Sequence, residues 1–425
     1  MKVPTPAELL NSDKAQVLKD SIQFWNPEKT QNWQNQGVDL VIGRREGYYL
    51  YDMSGHRLID LHLNGGTFNL GHRNPEVIAT LKSALDCFDI GNHHFPAIGR
   101  AAFAKALVES APKGMKYAML GSGGGEAIDI ALKCARNSTK RKKIVSVVRA
   151  YHGHTGLALG TANERYAKPF LSEGAPDEFV KVPFNDLAAM EAALKGSDAA
   201  CVIMETIPAT YGFVMPAEGY LPGVKKLCEK YGTLYIADEV QTGLMRCGEL
   251  WGISTYGVTP DIIVTSKGLS GGIYPISAVI TTQAAGRWVE EDGWGHISTF
   301  GGSELGCVVG LKTLEITLRE ETKKNVKFVA DYLRTGLDRI RAQHPAFKGI
   351  RQRGVIFGLE FDHPEGAKYV MRALYPRGIW AIYSQLDPRV LQFKPGLLCD
   401  KALCDDILTR MEEGIAAAMK TLPKA

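Results

Sequence analysis

Two residues of opposite charge follow two short apolar runs near the middle of the 425-residue chain. Asp238 ends the run Leu-Tyr-Ile-Ala, and Lys267 follows the run Ile-Ile-Val-Thr-Ser, 29 residues further along. Such runs are typical of buried strands, and in an open parallel sheet ligands bind at the carboxyl ends of the strands. A buried lysine can form a Schiff base with an aldehyde, and a carboxylate can hold a proton on a pyridine nitrogen. The two residues therefore predict a ligand site with that chemistry.

Two further segments supply what a phosphorylated heterocycle needs. Residues 122–125 read Ser-Gly-Gly-Gly before Glu126, which suits a strand-to-helix turn whose backbone N–H groups face a phosphate. Tyr151 and His152 follow another apolar run, where an aromatic ring can stack on a flat ligand. Each segment alone could be an ordinary turn or a polar loop. Taken together with Asp238 and Lys267, they match the needs of pyridoxal 5′-phosphate.

The elements that must position these residues follow an alternating pattern. From about residue 100, amphipathic segments alternate with apolar runs, which predicts a mostly parallel α/β sheet. Residues 47–61 read as a hairpin, and the chain after about residue 320 has an α+β pattern. The strands that we predict in the sheet lie at residues 116–120, 144–148, 200–204, 233–238, 261–266 and 275–282.

Composition excludes several other classes of protein. Hydrophobic residues make up 45% of the chain and charged residues 23%, and the formal net charge is +4, so neither nucleic acid nor a membrane surface is expected as a partner. No apolar run is long enough to span a membrane, and the N-terminus has no signal core. The eight cysteines form no CxxC pair, so no metal site or disulfide framework is predicted. We expect reduced thiols and a cytoplasmic protein.

From about residue 46 onward, the chain resembles the class III (omega-type) aminotransferases, which are fold-type I pyridoxal-phosphate enzymes. The resemblance rests on Ala237-Asp-Glu-Val-Gln-Thr-Gly-Leu-Met-Arg-Cys-Gly248 and on Ser266-Lys-Gly-Leu-Ser-Gly-Gly-Ile-Tyr-Pro275. It implies a mostly parallel seven-stranded sheet with helices on both faces, and a smaller α+β domain built from both termini. The expected divisions are an N-terminal arm with part of the small domain at 1–65, a large cofactor-binding domain at 66–320 and the C-terminal small domain at 321–425.

The resemblance also implies residue roles and a homodimer with shared active sites. Lys267 would form the Schiff base and move a proton, Asp238 would pair with the pyridinium nitrogen, and Tyr151 would stack on the ring. Thr299 would reach the phosphate of the neighbouring subunit. The other cofactor contacts that we expect are Ser122, Gly123, Gly124, Gly125, His152, Glu205, Val240 and Gln241.

Four positions depart from the family pattern. Gly123 and Gly125 stand where relatives usually carry hydroxyl residues in the phosphate loop. Thr210 and Gln392 stand where many members have a glutamate and the arginine that grips a substrate carboxylate. Either Lys394 or Arg353 could replace that arginine, although a surface salt bridge would explain each of them equally well. The departures favour pyruvate-like acceptors over 2-oxoglutarate.

The sequence leaves three interpretations of function open. The first is an aminotransferase that moves an amino group from an amine or amino acid to a keto acid or aldehyde. The second is another reaction on the same scaffold, such as racemisation, epimerisation, decarboxylation, amine migration or phosphate elimination. The third is a non-catalytic protein that retains the fold.

Four aromatic residues near the predicted site, Trp25, Phe68, Phe95 and Tyr274, are expected to pack in the core rather than to shape a substrate pocket.

Overall fold

The computed structural model describes residues 3–423. The first two residues of the predicted segment 1–65 and the last two of the predicted segment 321–425 lie outside the described residues. Within this range the strands are β1 (Ile42–Glu46), β2 (Tyr49–Asp52), β3 (Arg57–Asp60), β4 (Met115–Gly121), β5 (Lys143–Val147), β6 (Phe179–Val182), β7 (Ala199–Glu205), β8 (Leu234–Asp238), β9 (Ile262–Thr265), β10 (Ser277–Thr282), β11 (Phe347–Arg353), β12 (Ile356–Phe361), β13 (Ile379–Trp380), β14 (Ile382–Ser384) and β15 (Asp387–Phe393).

The helices of the same range are α1 (Pro6–Leu10), α2 (Lys14–Asp20), α3 (Pro27–Asn35), α4 (Leu63–Gly66), α5 (Pro75–Leu85), α6 (Ile98–Ser110), α7 (Gly124–Thr139), α8 (Gly156–Thr161), α9 (Glu164–Ala167), α10 (Leu187–Leu194), α11 (Tyr220–Tyr231), α12 (Gln283–Gly286), α13 (Trp288–Glu291), α14 (Glu304–Leu318), α15 (Glu320–Gln343), α16 (Gly366–Leu374) and α17 (Lys401–Thr421). Short 3₁₀ turns lie at Lys168–Phe170, Gly252–Tyr256, Lys267–Ser270 and Tyr375–Arg377, and a π-turn lies at Ser21–Trp25.

A seven-stranded sheet forms the centre of the molecule, in the order β4-β10-β9-β8-β7-β5-β6. Strand β10 runs antiparallel to both of its neighbours, whereas the pairings from β9 to β6 are parallel. All seven residues of β7 are buried, which explains why its sequence is apolar without alternation. The predicted mostly parallel seven-stranded sheet is therefore confirmed.

The smaller domain draws on both ends of the chain, as predicted. Its first sheet has the order β1-β2-β3-β13, and β3 pairs in parallel with β13, with Ile59 opposite Ile379. Its second sheet has the order β11-β12-β15-β14. The divisions at residues 65 and 320 stay predictions, since Arg319 alone separates α14 from α15.

Five strands, β1, β6, β11, β13 and β14, have no counterpart among the sequence predictions, and two of them illustrate the reason. Both β1 and β6 lie at the edge of a sheet, and β1 carries Arg44, Arg45 and Glu46 on exposed positions. Edge strands are charged for solubility and so lose the apolar pattern that marks a strand. Near the N-terminus, α1 and α2 are separate helices, and Asp13 caps α2 by accepting the N–H of Gln16.

Candidate active site

The predicted catalytic residues meet at one edge of the large sheet. Glu205 and Asp238 end the neighbouring strands β7 and β8, where they are register partners, and Lys267 lies two residues beyond β9. These strand ends open into a cavity of about 210 Å³. Its lining residues are Gly124, Gly125, Tyr151, His152, Gly153, Glu205, Asp238, Val240, Gln241, Ser266 and Lys267.

Lys267 occupies a left-handed backbone position at the start of a 3₁₀ turn, with φ at 41°. Burial lowers the pKa of its side chain, while the charges of Asp238 and Glu205 oppose that shift. A Cβ atom on Gly65 would lie 3.0 Å from Lys267 Cε, so glycine at position 65 leaves room for the lysine chain. A lysine with a lowered pKa has more neutral amine at physiological pH and is the better nucleophile.

Asp238 is only 4% exposed and has a defined hydrogen-bonding environment. One oxygen, Oδ2, lies 2.7 Å from Nδ1 of His152, and Oδ1 accepts the N–H of Val240 at 3.0 Å. The other ring nitrogen of His152, Nε2, is buried without a hydrogen-bond partner. The carboxylate is thus held in one orientation and keeps lone pairs for a further donor, such as a protonated ring nitrogen.

Glu205 is the second carboxyl group of the cavity. Its oxygens accept the N–H groups of Tyr151 and Ala209, each at 3.1 Å. Burial raises the pKa of Glu205 to about 7, and the charge of Asp238 adds to that shift. Glu205 therefore fixes the backbone that carries Tyr151, and it holds a proton up to neutral pH.

An aromatic cluster forms one wall of the cavity. The ring of Tyr151 meets His154 and Tyr166 edge to face, with centroid separations of 5.3 and 5.5 Å. This packing fixes the orientation of the Tyr151 ring. Val240 also lines the cavity and lies 3.5 Å from the position that a Gly124 Cβ would occupy.

The glycine run ends β4 and begins helix α7, as predicted. The first N–H groups of a helix have no partner within the helix, so those of Gly124 and Gly125 are available to an anion. Ser122 differs from the expectation, because its N–H and hydroxyl both donate to Oε2 of Glu126, at 2.7 and 2.6 Å. Ser122 and Gly123 do not line the cavity, so this loop offers backbone rather than hydroxyl groups.

Two of the predicted positions need separate description. Gln241 lines the cavity, and its Oε1 is buried without a partner. Thr299 is exposed and lies outside the lining of its own chain's cavity, so its contact with a neighbouring subunit stays a prediction. Sequence reasoning missed Gly153 and Ser266, although each is adjacent in the chain to a predicted residue.

The predicted aromatic packing is partly wrong. Trp25 and Phe95 are 69% and 67% exposed rather than in the core, and the π-turn that contains Trp25 has no buried residue. Phe68 packs on His72 at a centroid distance of 3.9 Å, and the hydroxyl of Tyr274 contacts that of Ser303.

The two candidate carboxylate-binding cations differ sharply in position. Arg353 donates to the side chain and the carbonyl oxygen of Thr255 and covers the ring of Tyr256, so it is committed to a structural contact away from the cavity. Lys394 is only 1% exposed, which excludes the surface salt bridge that the sequence had left open.

The residues present fit pyridoxal 5′-phosphate. The unpaired buried atoms Nε2 of His152 and Oε1 of Gln241 show that the site has polar groups that the protein alone does not satisfy. Backbone N–H groups at the start of α7 suit a phosphate, a fixed carboxylate suits a pyridinium nitrogen, and a buried lysine suits an aldehyde.

Comparison with known proteins agrees with this fit. The model of the class-III aminotransferase family matches residues 30–415. An uncharacterized aminotransferase of Archaeoglobus fulgidus is 44% identical over 407 residues, covering 96% of this chain and 94% of that protein. The putrescine aminotransferase of Pectobacterium atrosepticum is 30% identical over 401 residues, covering 92% of this chain and 83% of the relative.

A solved structure shows the same fold. The ornithine aminotransferase of Toxoplasma gondii, with partial occupancy of PLP at its active site, has a TM-score of 0.89 and 26% identity, and the match covers 99% of each chain. The fold is that of the fold-type I pyridoxal-phosphate enzymes. The chain belongs to the class-III aminotransferase family and is a pyridoxal 5′-phosphate-dependent aminotransferase.

Proposed function

We propose that this aminotransferase uses Lys267 and Asp238 as its catalytic residues and transfers an amino group from an amine or amino acid to a short keto acid or aldehyde. The observation that carries the proposal is that both side chains line one cavity in which, among residues 3–423, His152 Nε2 and Gln241 Oε1 have no hydrogen-bond partner. The cofactor supplies an aldehyde carbon and a pyridine ring that accepts the electron pair of a broken C–H bond.

The side chains around the cavity divide the work. Lys267 would hold the cofactor through Nζ, and after release from the cofactor the same amine would take up and return a proton. Asp238, held by His152, keeps a proton on the ring nitrogen. Tyr151 and Val240 orient the ring, and the N–H groups of Gly124 and Gly125 bind the phosphate.

Relatives suggest which donors to try first. One is named for putrescine and another for ornithine, so amines and amino acids with a terminal amino group are suitable donors. The positions of Thr210 and Gln392 support an acceptor other than 2-oxoglutarate, with pyruvate as the simplest candidate. We also propose a homodimer in which Thr299 reaches the partner's phosphate site, and a cytoplasmic location. No helix in residues 3–423 has the length and apolar character needed to cross a bilayer.

Absorbance of the bound cofactor tests the proposal directly. Adding putrescine or ornithine to the holoenzyme should remove the near-visible band, and adding pyruvate should restore it. A Lys267→Ala variant should lower turnover by at least about 10³-fold, because proton transfer and cofactor attachment are both lost. The matched control is Lys225→Ala, whose lysine pairs with Asp261 outside the cavity.

Exchange of the substrate Cα proton in deuterated buffer without formation of a keto acid would contradict transamination. It would favour racemisation or a related reaction on the same scaffold.

A further inference from the structure

Lys394 follows strand β15 and is a buried cation that the chemistry described above does not use. Its Nζ donates to Oε1 of Gln392 at 2.6 Å. Among residues 3–423, Gln392 is the only hydrogen-bond partner of this ammonium, and no carboxylate lies within 4.0 Å of it. Burying an ammonium group is costly unless it is paired, so a position of this kind calls for a ligand or for a neutral amine.

Two hydrogen-bonded segments connect the surroundings of Lys394 with residues of the cofactor cavity. The backbone N–H of Lys394 donates to the carbonyl oxygen of Leu61 at 2.8 Å, and four residues later the same segment reaches Gly65, which lies against Lys267. On the other side, Gln392 Nε2 donates to the carbonyl oxygen of Ala209 at 3.2 Å. The N–H of Ala209 in turn donates to the cavity residue Glu205.

The orientation of Gln392 decides what Lys394 presents. Because the amide nitrogen of Gln392 is engaged by Ala209, its oxygen must face the ammonium. An ammonium has three N–H donors, so two remain for a ligand. A carboxylate has two oxygens that accept and a charge that offsets the cost of burial.

The charges around Lys394 are mostly positive. Burial lowers its pKa well below the ordinary value, and the charges of Arg246 and Lys267 lower it further, while Asp60 opposes them. His62 lies in the same region, its pKa is lowered by burial and by Lys394 and Lys267, and its Nδ1 has no partner. A carboxylate bound beside Lys394 would offset this repulsion and favour the protonated form of its amine.

We propose that Lys394, oriented by Gln392, binds the carboxylate of an amino-acid or keto-acid substrate. The inference rests on the proposed function and specifies which residue selects acidic substrates. Lys394 is a specificity residue beside the reaction centre rather than a replacement for Lys267.

The test measures binding of propanoate, a carboxylate with no amino or keto group, to the holoenzyme by calorimetry. Lys394→Met should raise the propanoate dissociation constant about 10- to 100-fold, the usual size of a charge-assisted hydrogen bond. Gln392→Glu should weaken binding in the same direction, because its carboxylate would pair with Lys394 internally. Lys394→Arg should restore part of the affinity. The matched control is Arg353→Met, which removes the other candidate cation and should leave the dissociation constant unchanged.

The outcomes separate the two proposals. If Lys394→Met and Gln392→Glu both bind propanoate as tightly as the wild type does, this inference is overturned. That result would leave the proposed reaction standing if the wild-type absorbance responds to putrescine and pyruvate. Loss of affinity in Arg353→Met alone would also overturn it. A wild type that binds propanoate through Lys394 but shows no absorbance response would leave the binding site standing and would refute the proposed reaction.

Discussion

The two ends of the substrate-binding region are built in different ways. At the cofactor end, Asp238, Glu205 and Lys267 sit at or just beyond the carboxyl ends of adjacent strands, and each carboxylate accepts defined donors. At the other end, Lys394 lies where segments 61–65, 205–213 and 390–394 meet, and the only hydrogen-bond partner of its side-chain nitrogen in the described chain is a neutral amide. The first arrangement suits a cofactor that stays in place, and the second leaves donors free for a molecule that comes and goes.

Among variants that test the difference between the two ends, Asp238→Asn at the cofactor end should have the largest effect on activity. An amide cannot hold a proton on the ring nitrogen as a carboxylate does, so kcat should fall about 10²- to 10³-fold. Steady-state kinetics with the cofactor band recorded beforehand would separate lost chemistry from lost cofactor. Asp198→Asn, which changes an exposed aspartate paired with Lys143, is the control and should keep wild-type kcat. A kcat within threefold of wild type in Asp238→Asn would refute the assigned role.

A smaller effect concerns the proton on Glu205 and appears as pH-dependent stability. Its pKa rises from 4.5 to about 7 on folding, so the native protein binds the proton more tightly than the unfolded chain does. The free energy of unfolding should therefore fall as pH rises from about 4.5 to 7, by up to about 3 kcal/mol from this group, and level off above pH 7.

Urea unfolding of wild type and Glu205→Gln at pH 5 and pH 8 would measure this contribution. The variant should be less stable at pH 5 by about 1–3 kcal/mol, because its amide N–H₂ faces a backbone N–H group, but it should lose less stability on going to pH 8. Glu239, whose pKa burial also raises to about 7, acts equally in both proteins. The exposed Glu229→Gln serves as a control. An identical change in both proteins would contradict a proton on Glu205.

The smallest effect expected is in the phosphate loop. A Cβ atom added to Gly123 would have no other atom within 4 Å, so this position has room for a side chain. A Cβ atom added to Gly125 would lie 2.6 Å from Oγ1 of Thr155. Gly125→Ser should weaken cofactor binding about 3- to 10-fold, because its side chain would crowd Thr155 beside the phosphate site. Gly123→Ser should leave cofactor binding unchanged, because Gly123 does not line the cavity. Titration of the cofactor-free protein with pyridoxal 5′-phosphate would show the difference. Tighter binding in Gly125→Ser would refute the steric argument.

Much of this architecture could be predicted from the sequence because it is local. Apolar runs with a polar residue at their end mark β8 and β9, and the glycine run marks the start of α7. These signals depend on the period and burial of neighbouring residues, which the chain carries in order. The family motifs added the role of each residue at the cofactor end. Edge strand β1 gave no such signal because its exposed positions carry charge, and β6 is a four-residue strand that pairs only with the distant β5.

Only the tertiary structure decided between groups of similar type that are distant in sequence. Ser122 looked like a phosphate ligand until its hydroxyl was seen to donate to Glu126. Lys394 and Arg353 were equivalent as residues in the chain, but one is buried beside the cavity and the other is bound to Thr255. The physical reason is that residue type and spacing determine which elements form, whereas burial and hydrogen-bond partners depend on segments brought together by folding. For this protein the sequence predicted the cofactor chemistry, and the fold separated a buried lysine from an arginine that the sequence had left equivalent to it.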